Sequence, residues 1–205
     1  MSGPDAGREE NVMTTVAIVY HSGYGHTAVV AEHVAKGVTE AGAQARLLRI
    51  TGADQDMAPL LEGIADADAV IFGAPTYMGG PSAPFKVFAD ASSKAWFTHA
   101  WKDKLAAGFT NSLSLSGDKL STLEYFSVLA AQHGMVWVST GLLPGAALGD
   151  VSVEGVNRIG SSLGLMTQSD NAAPDVTPGA GDRKTAELFG TRVAEAAKRW
   201  ARGAA

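Results

Sequence analysis

Val16-Ala-Ile-Val-Tyr-His-Ser-Gly-Tyr-Gly-His-Thr-Ala28 is the stretch from which the fold of this chain is read. β-Prone residues from Val16 to Tyr20 run straight into Ser22, Gly23, Tyr24, Gly25, His26 and Thr27, and a helical pattern follows at once. A buried strand, a tight small-residue turn and a helix N-terminus together make an anion site. Successive backbone N–H groups point outward there, and the helix dipole favours negative charge. Ser22 and Thr27 add hydroxyl donors. No Lys or Arg lies between Val16 and Val34, so a phosphate at this turn is held by neutral donors. Three readings stay open on the turn alone. One is a terminal monophosphate. The second is a dinucleotide, because Gly23-x-Gly25-x-x-Ala28 fits G-x-G-x-x-A. That fingerprint wants an acid at the end of the second strand, whereas the strand ends Leu48-Arg-Ile-Thr51 and Asp54 lies in the next loop. The third is an ordinary turn that binds nothing.

Downstream, a helix capped by Thr27 is expected to reach about Glu40, with Ala31, Val34, Ala35 and Val38 on one face. Strand two is read at Ala45 to Ile50, a short helix at Met57 to Ala65, and strand three at Ala69 to Gly73. Pro84 opens a helix to about Ala91. Strand four spans Leu105 to Thr110, and Asp118 starts a helix ending near His133. Met135 to Ser139 reads as strand five. From Gly141 to about Gly181 no strong period appears. Asp182 is read as the cap of a last helix with Phe189, Val193, Ala197 and Trp200 as its buried stripe. Strands alternating with helices predict an α/β fold, a doubly wound five-stranded parallel sheet with helices on both faces. Ligands bind such sheets at the carboxyl ends of the strands. The loops there are 21–27, 74–82 and 110–117, all rich in Gly, Ser, Thr and Asn.

At 205 residues and 46% hydrophobic content the chain can bury one substantial core. Residues 13–205 are expected to form a single domain, with a loop insertion at about 141–181 and a disordered tail at 1–12. A loop that long has a role of its own: lid, substrate wall or oligomer contact. The net charge of −5 and the lack of a basic run argue against a nucleic-acid partner. With no Cys, thiol catalysis, disulfides and thiolate metal sites are excluded. No apolar run approaches the roughly 18 residues of a membrane span. A soluble cytoplasmic protein is expected. His21, His26, His33 and His99 have no paired spacing, so no metal site is expected.

Tyr20-His-Ser-Gly-Tyr-Gly-His-Thr27 resembles the phosphate loop of flavodoxin-like FMN proteins. Phe72-Gly-Ala-Pro-Thr-Tyr-Met-Gly79 resembles their second flavin loop. Ala95-Trp96, Lys104-Leu-Ala106 and Ala131-Gln-His-Gly-Met135 are similar to the WrbA-type NAD(P)H:quinone oxidoreductases. The resemblance covers 14–145 and the last helix. It implies a flavodoxin-like strand order of 2-1-3-4-5, noncovalent FMN, and hydride passed from NAD(P)H to a quinone by two-electron ping-pong chemistry. By position, Ser22, Gly23, Tyr24, Gly25, His26 and Thr27 would cradle the phosphate. Pro75, Thr76, Tyr77, Met78 and Gly79 would run along the isoalloxazine edge. Thr110, Asn111, Ser112, Leu113 and Ser116 would lie at the pyrimidine side, with Trp96 either beside the site or in the core. The chain departs from the subfamily at Tyr77, where Arg or another polar residue is usual, and at Leu115-Ser-Gly-Asp118, where glycines are usual.

His133 is associated by the resemblance with catalysis. Its place before strand five puts it at the amino-terminal edge, away from its own site. Both hold only if a neighbouring subunit presents it, which implies a homo-oligomer, dimer or tetramer. The alternative is a charged histidine stabilising a helix C-terminus. Two other functions remain: a flavodoxin-type electron carrier, and a flavin-free interaction protein. Dispersed acids argue against the carrier.

Overall fold

The computed structural model describes residues 13–203, so the tail expected at 1–12 lies outside the described residues. The elements run β1 (Thr15–His21), α1 (His26–Glu40), β2 (Gln44–Ile50), α2 (Ala58–Ala65), β3 (Ala69–Tyr77) and β4 (Gly80–Pro81). They continue α3 (Ala83–Ala91), α4 (Ser93–Phe97), β5 (Leu105–Ser112), α5 (Lys119–Gln132), β6 (Val136–Trp137), β7 (Leu165–Gln168) and α6 (Ala180–Arg202). The sheet order is β2-β1-β3-β5-β6, all parallel, which is the expected 2-1-3-4-5 arrangement. β4 returns antiparallel on the end of β3.

β1 is buried along its whole length because it lies between β2 and β3 with helices on both faces. Its side chains alternate between two cores. Val16, Ile18 and Tyr20 join Val34, Phe109, Phe189 and Val193 beneath α1 and α6. Ala17 and Val19 join Phe72, Phe85, Phe88, Trp101 and Phe126 beneath α2, α3 and α5.

Four expectations need correction. The fifth strand is not continuous over 135–139. β6 is two residues long and pairs only with Leu105 and Ala106. Residues 138–164 then loop out, and β7 resumes the same lane against Phe109 to Ser112. The segment read as structureless therefore supplies the upper half of the edge strand, plus a 3-10 turn at Gly145–Leu148. Second, Gly25 and not Thr27 is the residue before α1, with φ of 93°. Third, Asp182 lies inside the first turn of α6, where its carboxylate takes Arg158 and the Gln168 N–H instead of capping. Fourth, Trp200 is exposed, its indole N–H donating to the Asp103 carbonyl at 2.8 Å.

α1 and α6 touch backbone to backbone. A Cβ at Gly37 would stand 1.8 Å from the Glu187 carbonyl, and one at Gly190 would stand 2.1 Å from the Val34 carbonyl. Beside this contact the Glu187 carboxylate accepts from Lys36 (2.6 Å), His33 (3.0 Å) and Lys184 (3.1 Å). Burial works to raise its pKa, but these hydrogen bonds outweigh burial and hold it at about 2.

Gly37→Ala is expected to destabilise the fold by about 1–3 kcal/mol through overpacking, despite alanine's better helix propensity, as measured by urea unfolding. The group's depressed pKa means its stabilisation is present above the ordinary carboxylate range and is lost as pH falls toward 2. Glu187→Gln should therefore be less stable than the wild type at pH 7. The gap should close as pH falls from about 4.5 to about 2 in paired melts.

Candidate functional site

The turns after β1, β3 and β5 meet at the carboxyl edge of the sheet around a cavity of about 510 Å³. Tyr24, His26 and Thr27 form one side, Pro75, Thr76 and Tyr77 a second, and Asn111, Ser112 and Leu113 a third. The fourth wall, Ser169 to Ala172 with Pro174, comes from the chain after β7. No Lys or Arg lines the cavity among the described residues.

The turn after β1 ends in the left-handed conformation at Gly25. The Ser22 hydroxyl accepts from the Ala28 N–H at 3.1 Å. The N–H groups of Gly23, Tyr24, Gly25, His26 and Thr27 have no acceptor among the described residues. Those of Gly25, His26 and Thr27 are donors that a helix start leaves unpaired, and those of Gly23 and Tyr24 belong to the turn before it. The His26 Nε2–H donates to the Ala172 carbonyl at 2.8 Å. A Cβ at Gly25 would stand 2.6 Å from Pro174 Cγ. The fourth wall is thus strapped onto the turn.

Met78 (φ 48°) and Gly79 (φ 80°) form the two-residue turn of the β3–β4 hairpin, a type I′ pattern. This lifts Met78 fully into solvent and leaves Tyr77 over the cavity, edge-on to Tyr24 with ring centroids 6.4 Å apart. The Thr76 hydroxyl turns inward instead, bonded at 2.8 Å to both Thr110 and Thr122. Asn111 is oriented by its oxygen, which accepts from Thr167 (2.8 Å) and Ser169 (3.0 Å). Its Nδ2 has no acceptor among the described residues. Below this loop lies Lys119, fully buried, with Nζ donating to the Ser112 hydroxyl and to the Ser114 and Leu115 carbonyls at 2.8 Å each.

Nine of the expected residues therefore line one cavity. Ser22, Gly23 and Gly25 shape the turn beneath it. Met78 and Gly79 are at the hairpin tip, Thr110 is buried in the hydroxyl chain, and Ser116 faces a different cavity. Trp96 is on α4 and shares with His133 a third cavity, of about 270 Å³. His133 closes α5 at the amino-terminal edge, as expected, and does not line the site cavity. It is only 3% exposed and stacks on Trp101 at 4.2 Å. Ser92 gives its proton to the Ala89 carbonyl, so His133 Nε2 donates to Ser92 at 2.9 Å. Nδ1 is buried with no partner. Burial lowers the His133 pKa, which disfavours the charged form expected at a helix C-terminus. Within its own chain His133 is therefore a packing residue, away from the cavity. The residues missed by sequence reading are Ser169 to Pro174 and Lys119. The first follow a four-residue strand with no legible period. The second is a lone lysine whose burial leaves no local signal.

Among the described residues no group of three His, Asp or Glu is placed to hold a metal, and no helix is long and apolar enough to cross a membrane. The NADPH-dependent FMN reductase family matches residues 14–146. The chain is similar to flavodoxin FldP of Pseudomonas aeruginosa, 42% identical over 89% of this chain and 96% of the relative. It is similar also to an NAD(P)H dehydrogenase (quinone) of Paracoccus denitrificans, 30% identical over 90% and 94%. Among solved structures it matches a flavodoxin, WrbA-like protein from Agrobacterium tumefaciens, 44% identical over 91% and 98% of the two chains, with a TM-score of 0.73. The chain belongs to the NADPH-dependent FMN reductase family, as a WrbA-type flavodoxin-like member.

Proposed function

We propose that this protein is an FMN-dependent oxidoreductase that takes electrons from NAD(P)H and delivers them to a quinone. The observation that carries the reading is the set of unpaired N–H groups of Gly23 to Thr27 at one end of a cavity with aromatic and apolar sides. Those donors, the Thr27 hydroxyl and the α1 dipole suit a phosphate without any cation. The cavity volume of about 510 Å³ is in the range of small-molecule sites.

The residues fit FMN by chemistry as well as by space. Tyr24, Tyr77, Pro75 and Leu113 offer apolar and aromatic surface to a planar ring system. The free Asn111 Nδ2 and the backbone of 75–77 offer polar partners to its heteroatoms. Bound FMN supplies acceptance of a hydride and its return as two electrons. The chain's part is to bind, orient and keep water from the buried face. No titratable acid is needed at the reacting atoms. NAD(P)H and the quinone would use the open face in turn, which gives ping-pong kinetics.

A second reading is an electron carrier without turnover of its own, favoured by the 42% identity to a protein named flavodoxin.

Steady-state assays with NADH, NADPH and a soluble benzoquinone separate the two. The oxidoreductase gives turnover with parallel double-reciprocal lines. FMN retained without turnover sinks that reading in favour of the carrier, and a protein that cannot be loaded with FMN removes both. Gly25→Ala should weaken FMN binding by about tenfold or more, because a left-handed residue with a Cβ costs about 1–2 kcal/mol before the Pro174 clash is added. A fluorescence titration that finds wild-type affinity would show that the turn is not the anchor.

A further inference from the structure

We propose that Lys119 is a positioning residue whose charged ammonium holds the 112–118 loop in the shape that makes one wall of the FMN cavity. The inference rests on the FMN reading above.

The loop is a partition. Ser112 and Leu113 face the 510 Å³ cavity on one side. Leu115, Ser116 and Asp118 face a cavity of about 980 Å³ on the other. Its apolar side chains, Leu113 and Leu115, are both more than half exposed. Gly117 (φ 56°) and Asp118 (φ 52°) are both left-handed, a conformation that aspartate adopts at some cost. Open space on both sides means that core packing does not set the shape of this loop. Hydrogen bonds must set it instead. The Gln168 amide donates to the Leu113 carbonyl at 3.0 Å. The Ser169 N–H donates to the Ser112 carbonyl, and the start of α5 takes the Ser116 and Asp118 carbonyls. Three further ties meet at Lys119 Nζ from inside the loop, the only side chain that gathers three of its oxygens among the described residues.

The proton count makes this hold depend on charge. The Ser112 hydroxyl donates to the Ser114 carbonyl at 3.0 Å, so toward Nζ it can only accept. Three oxygens therefore ask for three N–H donors, which an ammonium has and a neutral amine lacks. A neutral amine leaves one of the three bonds unmade. The alternative is that Ser112 turns its proton to the nitrogen and abandons Ser114. Either way the loop loses a tie. Burial lowers the Lys119 pKa to about 8, with Asp182 of α6 raising it and Arg158 of the insertion lowering it. Asp118 and Glu124, around the larger cavity, are the other charged groups near it. The loss is thus placed close to pH 8.

Global stability runs the other way. The folded value is below the ordinary lysine value of 10.5, so between about 8 and 10.5 the unfolded chain binds the extra proton. Stability contributed by this group therefore rises with pH across that window. A lysine that only occupied space would show this gain with nothing lost at the cavity. A positioning lysine shows the stability gain and a loss of cavity order together.

The test has two readouts. In the FMN-free protein, hydrogen exchange of residues 112–117, corrected for the intrinsic rate, should quicken between pH 7 and 9. Lys119→Met should already exchange quickly at pH 7. In FMN titrations, the wild type should weaken by about threefold or more between pH 7 and 9.5, the scale of one lost hydrogen bond. Lys119→Met should be weak and flat over the same range, and Lys119→Arg, charged throughout, should be flat at either level. Exchange that is independent of pH in the wild type and unaltered in Lys119→Met overturns the proposal. Should Lys119→Met fail to fold, the wild-type pH series decides alone. A wild type that binds no FMN at any pH defeats the cofactor reading, while the exchange comparison still decides what Lys119 holds.

Discussion

A parallel strand buried on both faces has no water to satisfy its backbone, so its ladder must be complete and its end abrupt. β1 meets that constraint between β2 and β3. Where the ladder stops, the next N–H groups of the chain have nothing within the fold to bond. Helix α1 starts there and cannot use them either. The outcome is a cluster of polarised donors at the point where the sheet's neighbours diverge, the place where open α/β sheets bind ligands. The position of the site follows from satisfying the backbone elsewhere.

The insertion between β6 and β7 completes that site from a distance. Its base is tied by a buried pair: Arg158 meets Asp182 with two bonds, Nε at 2.9 Å and NH2 at 3.0 Å, and also bonds Gln168. Gln168 in turn reaches the Leu113 carbonyl. Such pairs contribute little net stability because desolvation offsets attraction, but removing one partner costs about 3–5 kcal/mol. The value of this one is geometric. It fixes where β7 leaves the sheet, and so where Ser169 to Pro174 cross the cavity. Asn111 is then oriented by Thr167 and Ser169, two residues of the same segment. The wall and the polar group facing the cavity are set by one piece of chain.

The opposite edge of the sheet shows how a polar residue can be taken up by packing. His133 lies under Trp101, and Trp101 belongs to the aromatic cluster of Phe72, Phe85 and Phe88. The imidazole keeps one hydrogen bond and gives up the other inside that cluster. An unsatisfied nitrogen costs about 1–3 kcal/mol, which the surrounding aromatic burial offsets. Position relative to a strand was enough to place this residue at the amino-terminal edge. Nothing local marked it as buried.

What the amino-acid order decided alone is what depends on neighbours a few residues apart. The β-prone run before Ser22, the helical spacing from Ala31 to Val38 and the small-residue turns place β1, α1 and three loops on one edge of a parallel sheet. Those loops contain nine of the residues that line the cavity. Tertiary structure decided the rest. β7 exists because Leu165 to Gln168 find Phe109 to Ser112, more than fifty residues away. Lys119 is buried because a loop folds over it, and Met78 is solvated because β4 pairs back on β3. β7 rests on partners far apart in the chain, and the other two on loop and turn geometry set by the surrounding fold. A periodicity of two or of 3.6 residues carries no record of them.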